Sequence, residues 1–194
     1  MGWSSKTVKL EVQLKNLAAL GFALGEDAEL DDLFLFGDRE SLEAGPHKAL
    51  VETMAQTIER EPESPICDRL WMCDLERIED PLDLVDVLVR LERMTGGALG
   101  LTEIRAQLEE DETWLSFVHA GESKRWDLEF DDDWLDPRVF ALYANLLEAE
   151  GVDLELHMST DNEEYGQEVL LVVLEPNMAK PVAKLIGIPL APVG

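Results

Sequence analysis

The sequence of 194 residues predicts an α+β fold, in which an N-terminal helical subregion precedes a mostly antiparallel sheet of about five to six strands with helices packed on one face. Two observations predict it. Apolar residues recur at helical spacing over residues 1–60, whereas short segments of alternating apolar and polar residues follow one another after residue 100. The predicted order is ααα-βαβββαββα. We expect residues 1–60 to form the helical subregion and residues 61–194 the sheet domain, packed as one compact unit.

The first helix is predicted from Leu10, Leu14 and Leu17, which repeat at helical spacing. The pattern stops at Gly21 and is followed by the apolar Phe22, an order typical of a helix end. Apolar and polar residues also alternate over residues 8–14, a pattern that permits a strand. We favour the helix.

Two further short helices are predicted before residue 60. Asp27 is placed to cap the first of them, which stops at Gly37, and Pro46 opens the second. The apolar stripe of this last helix comprises Leu50, Met54 and Ile58. Residues 61–65 contain two prolines among polar residues, which is typical of a linker.

The second region begins with a strand over residues 70–78, and Asp80 and Pro81 then open a helix that Gly96 and Gly97 end. Three alternating segments predict an antiparallel meander over residues 104–108, 114–119 and 125–130. Pro137 opens the next helix. The remaining elements are two strands over residues 152–158 and 167–174, and a helix over residues 176–185.

The charge of the chain is strongly negative, with 42 acidic against 16 basic residues and a formal net charge of -26. The excess lies in the middle of the chain. Residues 26–100 hold 20 acidic and 7 basic residues, and residues 101–175 hold 21 acidic and 4 basic residues. A field of this sign repels nucleic acid and anionic lipid and attracts cations. We therefore expect a cationic protein surface as the partner, and neither nucleic acid nor a membrane.

The sequence carries no complete cofactor-binding motif. Its glycine-rich segment, residues 96–100, lacks the Lys-Ser/Thr pair of a phosphate loop and follows a helix rather than a strand, so it predicts a helix end. We expect no cofactor. The first six residues lack the apolar stretch of a secretory signal, and no apolar run has the length of a membrane span. A cytoplasmic protein is expected.

The two cysteines, Cys67 and Cys73, are six residues apart. If this segment is a strand, about 3.3 Å per residue separates them by roughly 20 Å, which a disulfide does not span. We expect two reduced structural thiols. A redox pair or half of a metal site is the alternative.

The densest group of candidate functional residues lies where a strand ends and a helix begins, at Asp131, Asp132, Asp133 and Asp136. Clustered carboxylates on a turn suit a divalent cation, but the glycine and distant glutamate of a calcium loop are missing. In the structural interpretation, Asp133 or Asp136 caps the helix and Trp134 anchors the loop in the core. A partner-binding acidic loop is the third interpretation.

A second acidic cluster lies between two predicted strands, at Glu109, Glu110, Asp111 and Glu112. It is interpreted either as a solvated turn or as a receptor for a basic surface beside Trp114. Because alternate turns of a meander lie at the same end of a sheet, this cluster and the one at residues 131–136 are predicted to form one patch. We assign these eight carboxylates as the partner-binding residues, with no catalytic and no metal-binding residues.

Other residues that could carry chemistry receive structural interpretations. The three histidines, His47, His119 and His157, belong to no metal or catalytic spacing, and we expect them at the surface or half-buried. The apolar groups at residues 33–36 and 71–72 are interpreted as core, with a docking surface as the alternative.

Three hypotheses for function remain. The first, and favoured, is a non-catalytic protein that binds a basic partner, like an immunity protein or a nucleic-acid mimic. In size and charge the chain resembles bacterial immunity proteins, although no motif carries the resemblance and no family is assigned. The second is a metal-dependent hydrolase that uses Asp131, Asp133, Asp136 and His119. The third is that the acidity serves solubility or a saline environment. The oligomeric state is left open.

Overall fold

The fold is layered about a four-stranded antiparallel sheet, as seen in a computed structural model that describes residues 7–45, 47–60, 63–129, 131–160 and 165–194. Its helices are α1 Leu10–Ala18, a 3-10 helix Leu30–Leu35, α2 Arg39–Ala44, α3 Lys48–Met54, α4 Pro81–Met94, α5 Arg138–Ala149 and α6 Ala179–Ile186. Its strands are β1 Thr57–Ile58, β2 Ser64–Pro65, β3 Leu70–Asp74, β4 Thr102–Gln107, β5 Thr113–His119, β6 Glu122–Leu128, β7 Glu155–Ser159, β8 Glu168–Leu174 and β9 Leu190–Pro192.

The central sheet has the strand order β3-β8-β7-β9, and every neighbouring pair is antiparallel. Strand β8 is apolar along nearly its whole length because it is covered on both sides. Val169, Leu171 and Val173 pack into one hydrophobic core, and their sequence neighbours pack into another. Side chains of successive strand residues point to opposite faces, so one continuous apolar run supplies both cores.

The first core contains α4, α5 and the three-stranded sheet β4-β5-β6. Asp80 caps α4 by accepting a hydrogen bond from the backbone N–H of Leu82, and Pro81 occupies its first turn. The α4 end is tied to α5 by Tyr143, whose hydroxyl is 2.7 Å from the Thr95 hydroxyl and donates to Glu92 at 2.9 Å. Burial raises the pKa of Tyr143 far above its usual range, so it remains a neutral phenol.

The second core joins the opposite face of the central sheet to α1, α2, α3 and α6. Gln13 is fully buried in this layer. Its amide donates to the carbonyls of Val8 and Leu42, and its oxygen accepts from the backbone N–H of His47 at 2.6 Å. A buried amide with all these partners fixes the relative positions of the N-terminal helices, since leaving any of the groups unpaired is costly.

The α+β fold class and the antiparallel pairing are confirmed. The helix favoured at residues 10–17 is present as α1, and the Phe22 N–H bonds back to the Leu17 carbonyl as expected of a glycine-terminated helix. The strands do not form one sheet, however, because β4, β5 and β6 hydrogen-bond among themselves. Helices also cover both faces of the central sheet rather than one.

Several predicted boundaries differ from the structure in the first 65 residues. Glu29 and Asp32, rather than Asp27, form the capping interactions of the 3-10 helix. Helix α2 was not predicted, and Ile58 lies in β1 rather than in a helix. The helix start expected at Pro46 lies outside the described residues.

The predicted linker is not a linker throughout. Ser64 and Pro65 form β2 and pair with β1, whereas Glu61 and Pro62 lie outside the described part of the chain. Proline is tolerated in β2 because a two-stranded ribbon leaves one side of each strand unpaired. In the described ranges, no helix is long and apolar enough to cross a bilayer.

The shared strand β8 predicts that the two cores unfold together. Leu170 and Leu171 face opposite cores and are both fully buried, so either Leu→Ala substitution should lower the free energy of unfolding by about 2–5 kcal/mol. Urea denaturation followed by circular dichroism should show one transition, shifted in both variants. Val89→Ala, at a side chain 46% exposed, is the matched control and should change little. Two separate transitions, each shifted by one variant, would contradict this coupling.

Candidate functional site

The acidic hairpin tip, residues 109–112, connects β4 to β5 and is exposed at all four carboxylates. Glu112 is the member with a cationic partner, since Arg125 on β6 donates to it at 3.1 Å and to Asp127 at 2.7 Å. Arg125 also lies over the Trp114 ring at 4.9 Å. Among the described residues, Glu109, Glu110 and Asp111 have no ion pair.

The acidic loop, residues 131–136, is held by backbone hydrogen bonds at its centre and by Asp136 at its end. The N–H of Trp134 bonds to the Asp131 carbonyl at 3.0 Å, which makes a tight turn in which Asp132 has a positive φ of 55°. Asp131 and Asp132 are exposed, and Asp133 is half-buried. None of these three carboxylates has an ion pair within the described part of the chain.

Asp136 bonds to the start of α5 from just outside the helix, because Pro137 rather than Asp136 is the N-cap residue. It accepts the backbone N–H of Arg138 at the start of α5, the backbone N–H of Glu129, and the guanidinium of Arg138 at 2.6 Å. Burial alone would raise the pKa of Asp136, but these hydrogen bonds outweigh burial and hold its pKa below the ordinary value. Asp136 is therefore committed to the structure of the loop, unlike the three aspartates that precede it.

The hairpin tip and the acidic loop lie at the same end of the three-stranded sheet. Thr113, which follows the tip, is the register partner of Leu128, which precedes the loop. This arrangement agrees with the reasoning that alternate turns of a meander share one end. The assignment of the eight carboxylates as a partner-binding site stays a prediction.

Sequence reasoning missed a third acidic element, residues 74–86, which lies against the acidic loop. The Leu135 N–H bonds to the Leu75 carbonyl at 2.7 Å, and the Ile78 N–H bonds to the Asp133 carbonyl at 2.9 Å. The exposed or half-buried acidic residues of this segment are Asp74, Glu76, Glu79, Asp80, Asp83 and Asp86. The pairing is nonlocal, so no periodicity in the sequence could reveal it. We call the three acidic elements together the acidic face.

Two large apolar side chains are exposed within the acidic face. Trp134 is 42% exposed and Leu82, in the first turn of α4, is 67% exposed. The expectation that Trp134 anchors the loop in the core is wrong, because the next residue, Leu135, is 2% exposed and fills that role. Trp134 and Leu135 are adjacent in extended backbone, so burying one directs the other towards solvent.

The residues proposed for a metal-dependent hydrolase are not brought together. His119 ends β5 at the turn into β6, six residues along the strand from the end that carries the acidic loop, or about 20 Å at 3.3 Å per residue. Asp136 is occupied by Arg138. Within the described ranges, no group of three or more His, Cys, Asp or Glu side chains is placed to hold a metal ion.

The three histidines are buried rather than exposed or half-buried. His119 is 7% exposed, with Nδ1 2.8 Å from the Leu99 carbonyl and Nε2 3.1 Å from a Glu150 carboxylate oxygen. His157 is 3% exposed and pairs with Glu155 at 3.0 Å. His119 and His157 thus each lie beside one carboxylate, whereas His47 lies beside the amide of Asn16.

The apolar group at residues 33–36 divides between core and surface. Leu33 is fully buried, whereas Phe34, Leu35 and Phe36 are 38%, 64% and 45% exposed. The interpretation as core therefore holds for Leu33 alone. Trp71 is 5% exposed and belongs to the core, and Met72 is half-buried.

Comparison with known proteins gives no relative. No family model matches the chain, and neither a curated protein nor a solved structure matches it. Functional inference therefore rests on the geometry and charge described above.

The environment of the two cysteines predicts that their thiols are unreactive in the folded protein. Both are free and buried, and burial raises the pKa of Cys67 to about 11 and that of Cys73 to about 12. Because the thiolate is the reactive form, neither should react with a thiol-specific disulfide reagent at pH 8 until the chain unfolds. Absorbance of the released thiolate measures this. Rapid reaction of either thiol in the native protein would contradict the prediction.

Proposed function

We propose that the protein is a non-catalytic binding protein whose acidic face docks a cationic surface of a protein partner. The observation that carries the proposal is the continuity of that face. The hairpin tip, the acidic loop and the segment over residues 74–86 come from three places in the chain, and strand register and backbone hydrogen bonds draw them to one region. Immunity proteins and nucleic-acid mimics are the classes of inhibitor to which this arrangement is suited.

The carboxylates of the acidic face are available for a partner. Of the eight predicted residues, Glu112 and Asp136 are neutralised by Arg125 and Arg138, and the other six have no ion pair in the described ranges. Like charges held close together repel one another, and a cationic partner relieves that repulsion. The field they produce accelerates encounter with a basic surface and weakens as salt increases, since charges are screened over about 8 Å at physiological ionic strength.

Charge alone does not give a stable complex. Each exposed ion pair contributes about 0.2–1 kcal/mol to the free energy of binding. An aromatic side chain that fills a pocket of the partner contributes roughly 2 kcal/mol or more. Trp134 is the aromatic side chain exposed within the acidic loop, and Leu82 extends the apolar surface. In this proposal the carboxylates set the rate of association and Trp134 sets the rate of dissociation.

Amide substitutions test the role of the acidic face. The variant E110Q/D111N/D132N removes three unpaired carboxylates from the face, and E26Q/D31N/E40Q removes three exposed carboxylates from the N-terminal region, so the two variants carry equal net charge. Each immobilised chain is exposed to a cell lysate at low salt and eluted with salt. Cationic proteins should be retained by the wild type and the N-terminal variant and largely lost by the face variant, because only the latter weakens the local field.

Three results of this experiment would contradict the proposal. Equal retention by all three chains would mean that the charge acts as a general coat that serves solubility. Equal loss from both variants would mean that net charge matters and position does not. Retention of no protein by the wild type at low salt would leave the acidic face without a cationic partner.

Substitution of the exposed tryptophan separates anchoring from electrostatic attraction. With a partner identified as above, Trp134→Ala should increase the dissociation rate constant by about tenfold or more and leave the salt dependence of association unchanged. Leu35→Ala, at a side chain that is 64% exposed in the 3-10 helix, is the apolar control. Biolayer interferometry at several salt concentrations measures both rate constants. An unchanged dissociation rate in Trp134→Ala would exclude Trp134 as an anchor.

A further inference from the structure

A cleft of about 270 Å³ beside α4 is lined by charges of both signs, since the acidic residues Glu63, Asp83 and Asp86 contribute to it together with arginines. Three of the nine arginines line it, namely Arg77, Arg90 and Arg93. Its apolar wall includes Trp71 and Val87. The cleft is slightly smaller than the usual range for small-molecule sites, about 300–1,000 Å³, and has the volume for a single small group.

Arg90 is the arginine of the cleft whose buried N–H donors are only partly used. Its Nη2 donates to the carbonyls of Cys67 and Leu70 at 3.1 and 2.7 Å. Its Nε and Nη1 are buried and have no acceptor among the residues that the structure describes. Burial lowers the pKa of Arg90 to about 10, so the guanidinium is still charged at neutral pH. Burying a cation whose N–H donors lack an acceptor is energetically costly unless a bound group accepts hydrogen bonds from them.

The nearby acidic groups do not neutralise Arg90. Asp68 accepts from Arg93 at 2.7 Å, and Asp83 and Asp86 line the cleft without an ion pair to Arg90. Burial and the charge of Asp83 raise the pKa of Asp86, and the nearby Arg77 only partly opposes this rise. Arg77 is exposed and makes no ion pair within 4.0 Å in the described ranges. The cleft therefore contains guanidinium N–H donors that lack a hydrogen-bond acceptor.

We propose that this cleft binds one anionic group, a carboxylate or a phosphoryl group, with Arg90 as the principal ligand and Arg77 and Arg93 as flanking cations. Guanidinium N–H groups form short, charge-assisted hydrogen bonds with both kinds of anion. Because Nε and Nη1 are shielded from solvent, binding includes a rotation of the Arg90 guanidinium about its terminal bonds that turns these donors into the cleft. The cleft adjoins the acidic face, because Arg77, Asp83 and Asp86 belong to the segment over residues 74–86, but the anion site is proposed independently of partner binding.

The proposal is tested by NMR titration of the whole chain with inorganic phosphate and, in a second arm, with acetate, at ionic strength held constant with chloride. Saturable shifts are expected at the Arg90 Nε–H, the Trp71 indole N–H and the backbone amides of α4. Saturation by phosphate alone assigns a phosphoryl ligand, and saturation by acetate alone assigns a carboxylate ligand. Absence of saturable shifts at these groups in both arms would overturn the proposal.

Arginine substitutions complete the test. Arg77→Met should weaken the binding of the anion several-fold, and it removes no hydrogen bond of the fold in the described ranges. Arg90→Met should abolish saturable binding, and Arg90→Lys tests whether a charge without the guanidinium geometry suffices if Arg90→Met fails to fold. Arg125→Met removes a cation from the three-stranded sheet and should leave affinity unchanged. Equal weakening by Arg77→Met and Arg125→Met would overturn the proposal, because it would indicate a general field effect.

Discussion

The structure depends on the burial of strand β8 between two hydrophobic cores. Leu170, Val172 and Leu174 contact the layer that contains the N-terminal helices, and Val169, Leu171 and Val173 contact the layer that contains α4 and α5. Burying one aliphatic side chain stabilises the fold by about 1.5–3 kcal/mol, and the net stability of a domain is about 5–15 kcal/mol. The burial of these six side chains is therefore large compared with the net stability of a domain. This shared strand links the layer of the N-terminal helices to the layer that contains α4 and α5.

That constraint also explains how the chain tolerates a net charge of -26. Repulsion among carboxylates weakens a compact fold, but its magnitude is limited where the charges face water and salt. The described acidic side chains of the hairpin tip and of most of the acidic loop are exposed. In the N-terminal layer, the buried Gln13 is neutral and hydrogen-bonded, and the buried Asp32 is paired with Arg60. Stabilisation by apolar burial therefore acts in the interior, and repulsion among carboxylates acts at the hydrated surface.

Local signals in the sequence predicted elements well wherever the element was long. Helix α4 has a proline at its start and glycines after its end, and β4, β5 and β6 alternate clearly, so each was found close to its observed bounds. Signals failed where pairing is nonlocal. Strand β9 forms because it pairs with the distant β7, and the division of the strands between sheets also depends on tertiary contacts. Strands β1 and β2 pair with each other, but each has only two residues, too few for an alternating pattern.

The candidate site shows the same division between local and nonlocal information. Composition indicated the carboxylates, and the predicted strand order indicated that the hairpin tip and the acidic loop share one end of a sheet. It could not indicate that residues 74–86 join them, since that contact consists of backbone hydrogen bonds between segments more than fifty residues apart. It also placed Trp134 in the core, where Leu135 lies instead, because two adjacent apolar residues do not reveal which of them faces the core.

The way in which the acidic face is assembled matters for its function. Its central contact runs through the backbone groups of Leu75, Ile78, Asp133 and Leu135, and the Asp136 carboxylate fixes the end of the loop. Asp80 and Asp83 of the third segment cap α4, whereas the six unpaired carboxylates of the hairpin tip and the acidic loop make none of these contacts. Their positions are nevertheless set by a backbone that packs on the core through Leu135. A rigid support with free charges at its surface reduces the ordering that binding requires, which favours affinity for a preformed basic surface.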